Sequence, residues 1–373
     1  MEIARHKWVR SSSVRIDELA VSTYTIPTDF PESDGTYAWD KTTLVLVEVS
    51  GGGELGLGWT YANDATAKLI QEQLRPKLIG HDAMSPRAAY MTMWRQIRNL
   101  GRPGISSMAI SAVDCALWDL KSRMLQLPLV TLLGQVRKGA AIYGSGGFTS
   151  YGDQQLCRQL SGWVEQGIPS VKMKIGRDAW RDRERVRAAR RAIGKNAELY
   201  VDANGAYTQK EALAEAEYFA SQGVTWFEEP VSSDDLDGLR LIRDRAPAGM
   251  DVAAGEYGYD IFYFRRMLSS GAVDVQQADI TRCGGVTAMF EVAALCQAHN
   301  IPLSCHTAPA QHTHVACAIP VFKNLEYFHD HVRIERIMFE GLPVLRNGEL
   351  IPDLSRAGNG LVFRRADAKR FAA

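Results

Sequence analysis

The chain has 373 residues, 46% of them hydrophobic and 23% charged, the make-up of a globular protein too long for one small core. Its 43 basic and 43 acidic residues cancel, so net charge provides no pull toward nucleic acid or a membrane surface, and neither is expected as a partner. No apolar run approaches the roughly 18 residues of a membrane span, MEIARHKWVR at the N-terminus lacks the apolar core of a signal peptide, and Cys115, Cys157, Cys283, Cys296, Cys305 and Cys317 form no CxxC pair, which predicts free thiols in a reducing cytoplasm.

In chain order, STYTIPTDFPESDGTYAWD (22–40) mixes proline, glycine and aromatics and predicts a loop between strand-like segments. TTLVLVEV (42–49) and ELGLGWTY (54–61) predict strands of a hairpin turning at Gly51-Gly52-Gly53, a run too short for a phosphate loop. Helical patterns follow over 64–79, 86–99 and 107–126. The last carries Ala109, Ala112, Ala116, Leu117 and Leu120 as a small apolar stripe suited to close packing, and Pro128 ends it.

From about residue 140 short apolar runs alternate with amphipathic helices: AAIYGSG, SVKMKIG, ELYVDAN, VTWFEEP, MDVAAGE, AVDVQQAD, IPLSCHT and KNLEYFH. Eight such strands predict a parallel barrel rather than an open sheet. The arginine-rich RDAWRDRERVRAARR (177–191) also holds Asp178, Asp182 and Glu184, with Trp180, Val186, Ala189 and Ile193 on one stripe, and predicts a solvated helix of that barrel.

Lys174, Asp202, Glu228, Glu256, Asp279, His306 and Glu326 stand at or just past the ends of successive apolar runs, 20 to 28 residues apart, about one strand–helix unit per step. One such residue would pass for a helix cap. Seven in phase predict a ring of ionisable groups at the face where barrel active sites lie. Asp202, Glu228 and Glu256 come from consecutive strands and repel unless a cation joins them. An all-oxygen set favours Mg2+ over Mn2+ or Ca2+, and no His or Cys stands among them to suggest zinc. In SVKMKIG, Lys172 and Lys174 share one face of a strand. Lys174, beside Lys172 and near a cation, is expected to have a lowered pKa and to act as a base, with Lys172 supplying the depressing charge and reaching the substrate carboxylate. Asp279 and His306 on neighbouring strands form a second acid/base unit. Together these groups describe abstraction of a proton α to a carboxylate.

With KxK at Lys172-Met173-Lys174, VDANG (201–205), FEEP (227–230), AAGE (253–256), DITRCGGVT (279–287), SCHTAP (304–309) and SAVDCALWDLKSR (111–123), the chain resembles the enolase superfamily, mandelate racemase subgroup, over nearly its whole length. The resemblance implies an α/β fold: an α+β capping domain over 1–135, a modified TIM barrel, (β/α)7β, over 136–335, and a C-terminal segment over 336–373 that returns to the cap at NGELIPDL (347–354). It implies Asp202, Glu228 and Glu256 as Mg2+ ligands, Lys174 and His306 as bases on opposite faces, and Glu326 as an electrophile that hydrogen-bonds the substrate carboxylate. It also implies a homo-oligomer, and a 22–40 segment that folds over a small carboxylate substrate. Phe30, Tyr37 and Trp39 would then wall the pocket, and Asn204 would join Lys172 and Glu326 in binding substrate. The family's PGLG reads RAGNG here, Arg356–Gly360, a change of loop conformation only. The preferred reaction is dehydration of a sugar acid, an aldonate or aldarate, to a 2-keto-3-deoxy acid. Racemisation or epimerisation of a 2-substituted acid is the runner-up, and a catalytically silent barrel with a binding or structural role is the third reading. His312, His314, His329 and His331 could suggest a second metal, but isolated histidines are more often structural, and they are assigned none.

Overall fold

A long antiparallel hairpin opens the computed structural model, which describes residues 14–373. The reading of MEIARHKWVR lies outside the described residues. Strands β1 (Glu18–Ser33) and β2 (Ala38–Gly51) occupy most of 22–40, so the expected loop is instead two strands and a turn. Tyr24 and Ile26 face the core with Leu44 and Leu46, and this β-branched and aromatic run outweighs the loop signal of its prolines. Proline acts only locally: the register shifts between Pro27 and Glu32. The turn is tied by Asp34, whose Oδ1 accepts from the Thr36 and Tyr37 amides at 2.7 Å each.

The predicted hairpin at the glycine run joins β2 to β3 (Glu54–Tyr61). Helices α1 (Asp64–Leu69), α2 (Arg75–Leu78), α3 (Pro86–Gln96) and α4 (Ile105–Met124) follow, with a π-helical turn over Ile70–Leu74 between the first two. The small stripe of α4 lies on β3. A Cβ at Gly58 would sit 2.3 Å from the Ala112 carbonyl oxygen, so both surfaces must be small for strand and helix to meet.

Asp119 of α4 is buried and bonds to three chain regions. It accepts from the Leu57 amide at 2.8 Å and the Asn359 amide at 2.6 Å, and pairs with Arg123 at 2.7 Å. Asp119→Ala leaves two buried amides and the Nε of Arg123 without their partner. A loss of about 3 kcal/mol or more in denaturant unfolding is expected; an unchanged midpoint would refute this joint.

After α5 (Leu129–Leu133) the barrel begins. It runs β4 (Ala140–Gly146), α6 (Asp153–Glu165), β5 (Ser170–Lys174), α7 (Ala179–Ile193), β6 (Glu198–Asp202), α8 (Gln209–Ser221), β7 (Val224–Glu228), α9 (Leu236–Arg245), β8 (Asp251–Ala254), α10 (Ile261–Ser270), β9 (Val275–Ala278), α11 (Gly285–Ala298), β10 (Leu303–Cys305), α12 (Pro309–Ala316) and β11 (Phe322–Phe328). All eight strands are parallel, and β11 pairs with β4 to close the ring, giving the (β/α)7β order. Val171, Met173 and Ile175 face the helices, while Tyr143, Tyr200, Trp226, Ala253 and Val275 fill the interior below the polar ring. The arginine-rich segment is α7, buried through Val186, Ala189 and Ile193. Trp180 is 87% exposed and off that stripe, because at 3.6 residues per turn it stands on the side of the helix opposite Val186, Ala189 and Ile193.

The chain ends in α13 (His329–Met338), β12 (Phe339–Glu340), β13 (Val344–Arg346), β14 (Glu349–Ile351), β15 (Val362–Phe363) and α14 (Arg365–Ala368). NGELIPDL does not return to the cap: β14 pairs with β4, lengthening the barrel sheet. The return comes later, through RAGNG, where Asn359 meets Asp119 and Leu57, and through the Ala373 amide on Thr23 O at 3.1 Å. No helix among the described residues is long and apolar enough to cross a membrane.

Candidate active site

Lys174, Asp202 and Glu228 are the last residues of β5, β6 and β7, and Glu256, Asp279 and His306 lie one or two residues past β8, β9 and β10. Glu326 lies within β11 and faces inward. Asp202, Glu228 and Glu256 are buried and offer oxygens all within 4.8 Å of one another. Glu256 reaches in because Gly255 (φ +134) lets the chain cross β9: a Cβ there would lie 2.2 Å from Gln277 O. Burial and the charge of Asp202 push Glu228 up to about 8 although the Lys172 ammonium touches it. Glu256 Oε2 lies 3.2 Å from His306 Nε2 yet is buried with no hydrogen-bond partner among the described residues. Excess negative charge and a spare buried oxygen fit a hard divalent cation on these three carboxylates.

The lysine pair behaves differently from expectation. Lys172 is fully buried. It contacts Glu228, Glu326 Oε1 at 2.9 Å and Asp202 at 3.4 Å, and it stands over the Tyr143 ring. Lys172 is not among the residues that line the cavity, and in this structure its ammonium props the carboxylates of Glu228, Glu326 and Asp202. Lys174 does line the cavity. Its pKa is raised, not lowered: burial and Lys172 pull it down, but Asp202, with which it pairs directly, more than offsets both. The expectation weighed the neighbouring lysine and overlooked the carboxylate that the pleat sets beside it, Lys174 being in register with Asp202.

His306 Nδ1 donates to Asp279 Oδ2 at 2.8 Å, and Asp279 Oδ1 is held by the amide and hydroxyl of Thr281 at 2.7 Å each. Burial disfavours the imidazolium, but Glu256, Glu326 and Asp279 outweigh it and hold His306 at about 10. Burial also pushes Glu326 upward, yet Lys172, His306, Lys174 and the Ser145 hydroxyl bring it down to about 2.

A cavity of about 430 Å3 opens on this ring, lined by Lys174, Glu256, His306 and Glu326 below and by Tyr37, Trp39 and Asn204 at its sides. Tyr37 and Trp39 stack at 6.2 Å on the hairpin turn. Phe30 does not line it; that ring is 53% exposed and packs on Tyr151. Of the two histidines after β11, His331 lines the cavity against Tyr61, and His329 pairs outside with Asp29.

Residues 20–134 match the family described as "Mandelate racemase / muconate lactonizing enzyme, N-terminal domain", and 155–368 match "Enolase C-terminal domain-like". The chain belongs to the mandelate racemase subgroup of the enolase superfamily. A mandelate racemase/muconate lactonizing enzyme-like protein from Rubrobacter xylanophilus superposes with a TM-score of 0.95 at 51% identity, covering 96% of this chain and 100% of that one. A 3,6-anhydro-alpha-L-galactonate cycloisomerase from Streptomyces coelicolor is 31% identical over 93% of this chain and 97% of its own. The L-talarate/galactarate dehydratase from Salmonella typhimurium, liganded with Mg and L-lyxarohydroxamate, superposes with a TM-score of 0.88 at 26% identity, covering 97% and 94%.

In this member of the subgroup, sequence reasoning passed over Arg282 and Tyr257, and it gave His312 no metal and no specific role. Arg282 lines the cavity and holds Glu256 at 3.4 Å and Asp279 at 3.5 Å. Its place three residues after Asp279, in the turn leaving β9, was the available signal. His312 accepts from the Ile280 amide at 3.0 Å and donates to Thr307 O at 2.9 Å, joining the ends of β9 and β10 as a neutral ring. Burial lowers its pKa from 6.5 to about 4. The unfolded chain takes up this proton below 6.5 while the native chain resists until about 4, so stability falls as pH drops through that window and is unaffected above it. His312→Gln should reduce the loss of stability over that window by up to about 3 kcal/mol relative to wild type. Parallel pH curves for the two proteins would refute it.

Proposed function

We propose that this enzyme dehydrates a sugar acid, an aldonate or aldarate, to a 2-keto-3-deoxy acid, with Mg2+ held by Asp202, Glu228 and Glu256. Bound there, Mg2+ supplies positive charge that acidifies the carbon next to the substrate carboxylate. Lys174 takes the α-proton, in a state where Asp202 no longer pairs with it. The electron pair of that C–H bond becomes the double bond as the 3-hydroxyl leaves. His306, carrying its second proton, delivers it to the departing oxygen, so that water is lost, and the enol tautomerises to the keto acid. Asp279 and Arg282 keep His306 and Glu256 aligned, while Tyr37 and Trp39 shield the cavity from solvent.

The observation that carries this reading is His306: an imidazole oriented by Asp279 through Nδ1 and facing the same cavity as Lys174. A leaving hydroxyl needs such a donor. The dehydratase among the structural neighbours supports the reading, and the cycloisomerase relative supports a second one, isomerisation of a cyclic sugar acid. The test is mass spectrometry of a sugar-acid panel incubated with Mg2+. The expected product is lighter than its substrate by one water. Unchanged mass with a keto group indicates isomerisation, and unchanged mass with inverted C2 indicates epimerisation. Either outcome overturns dehydration, as does no turnover at all.

A further inference from the structure

The capping hairpin meets the barrel at a second cluster of ligating groups. Asp29 and Glu32 lie on β1 around its register shift, and His329 begins α13. One ligand atom from each lies within 4.8 Å of the others. His329 Nε2 stands 3.0 and 3.1 Å from the two Asp29 oxygens. Donors about 2.1 Å from a common cation are spaced by about 3.0 to 3.4 Å, so this pair already has the separation of neighbouring ligands. Glu32 is 1% exposed. Its Oε2 accepts from Trp39 Nε1 at 2.8 Å, but its Oε1 is buried with no hydrogen-bond partner among the described residues. An unpartnered buried carboxylate oxygen beside a second carboxylate is costly unless a cation meets it. The nearby Arg333 is engaged by Asp330 and by Pro27 O.

We propose that Asp29, Glu32 and His329 form a second divalent-cation site that latches the capping hairpin onto the barrel. One imidazole and two carboxylates suit a borderline ion such as Zn2+, in contrast to the all-oxygen catalytic triad. Two ligands come from the cap and one from the barrel, so binding ties the two together. Because Glu32 also anchors Trp39, a wall of the active-site cavity, the latch fixes the hairpin turn that covers substrate.

The test uses Zn2+ as the probe in a Glu228→Gln background, which removes a catalytic-triad ligand. Calorimetry should find one Zn2+ per chain, weakened at least tenfold by adding His329→Gln or, separately, Asp29→Asn. Both side chains are partly exposed, and melting curves confirm that the variants are folded. In otherwise wild-type protein, Zn2+ should slow amide hydrogen exchange over residues 28–40, and His329→Gln should remove that protection. Equal Zn2+ affinity with and without His329→Gln, no Zn2+ bound in the parent, or unprotected 28–40 amides would each overturn the proposal.

Discussion

Asp202→Asn and Glu256→Gln should each lower turnover on the order of 10^3-fold or more and abolish the rise in melting temperature that Mg2+ gives the wild type. The expectation rests on charge. The triad is buried, its oxygens lie within 4.8 Å of one another, and Glu228 is driven to about 8 by burial and by Asp202. Removing one carboxylate relieves the repulsion that a cation would otherwise relieve, so the variants should be stable without Mg2+ yet insensitive to it. That combination separates a lost ligand from a lost fold. Full activity of wild-type protein after exhaustive chelation would sink the metal reading, and a variant with undiminished Mg2+ stabilisation would remove that residue from the ligand set.

The largest qualitative effect is expected from separating Lys174 and His306. His306→Asn should suppress keto-acid formation by about 10^2- to 10^4-fold while the substrate α-proton still exchanges with deuterium. Lys174→Ala should remove exchange and product together. The asymmetry follows from position: Lys174 can act as a base only in a state where Asp202 no longer pairs with it, whereas His306, oriented by Asp279, faces the same cavity as a proton donor to the leaving group. Proton NMR in D2O with Mg2+ reads both events. Exchange surviving in each single variant, with no 3-deoxy signals in the wild type, is the epimerase pattern and would overturn dehydration. No exchange with any acid in folded, metal-loaded wild type would favour the silent barrel.

Much of this was legible in the residue order because barrels are periodic. Each strand delivers one residue to the same face, so a residue about every 20 to 28 positions marks the ring, and all eight strands lie where the apolar runs stand. The small stripe on α4 likewise follows from residue size: Ala112 faces Gly58 because nothing larger fits.

Non-local contacts decided the rest. The 22–40 segment reads as a loop by its prolines and becomes strand because Tyr24 and Ile26 find a buried face that no local window contains. Lys172 and Lys174 share a face, as the pleat requires, but Lys172 is sealed under three carboxylates from other strands, and Asp202 rather than Lys172 dominates Lys174. Arg282, His312 and the meeting of Asp29 and Glu32 with His329, some 300 residues along the chain, depend on which strand ends and turns come together in space. By itself the sequence determined the fold, the face and the ionisable groups of the site, since these depend on spacing and side-chain type. Only the tertiary structure decided which charges pair, which are sealed from the cavity and where protons rest, because those follow from distances and burial set by strands far apart in the chain.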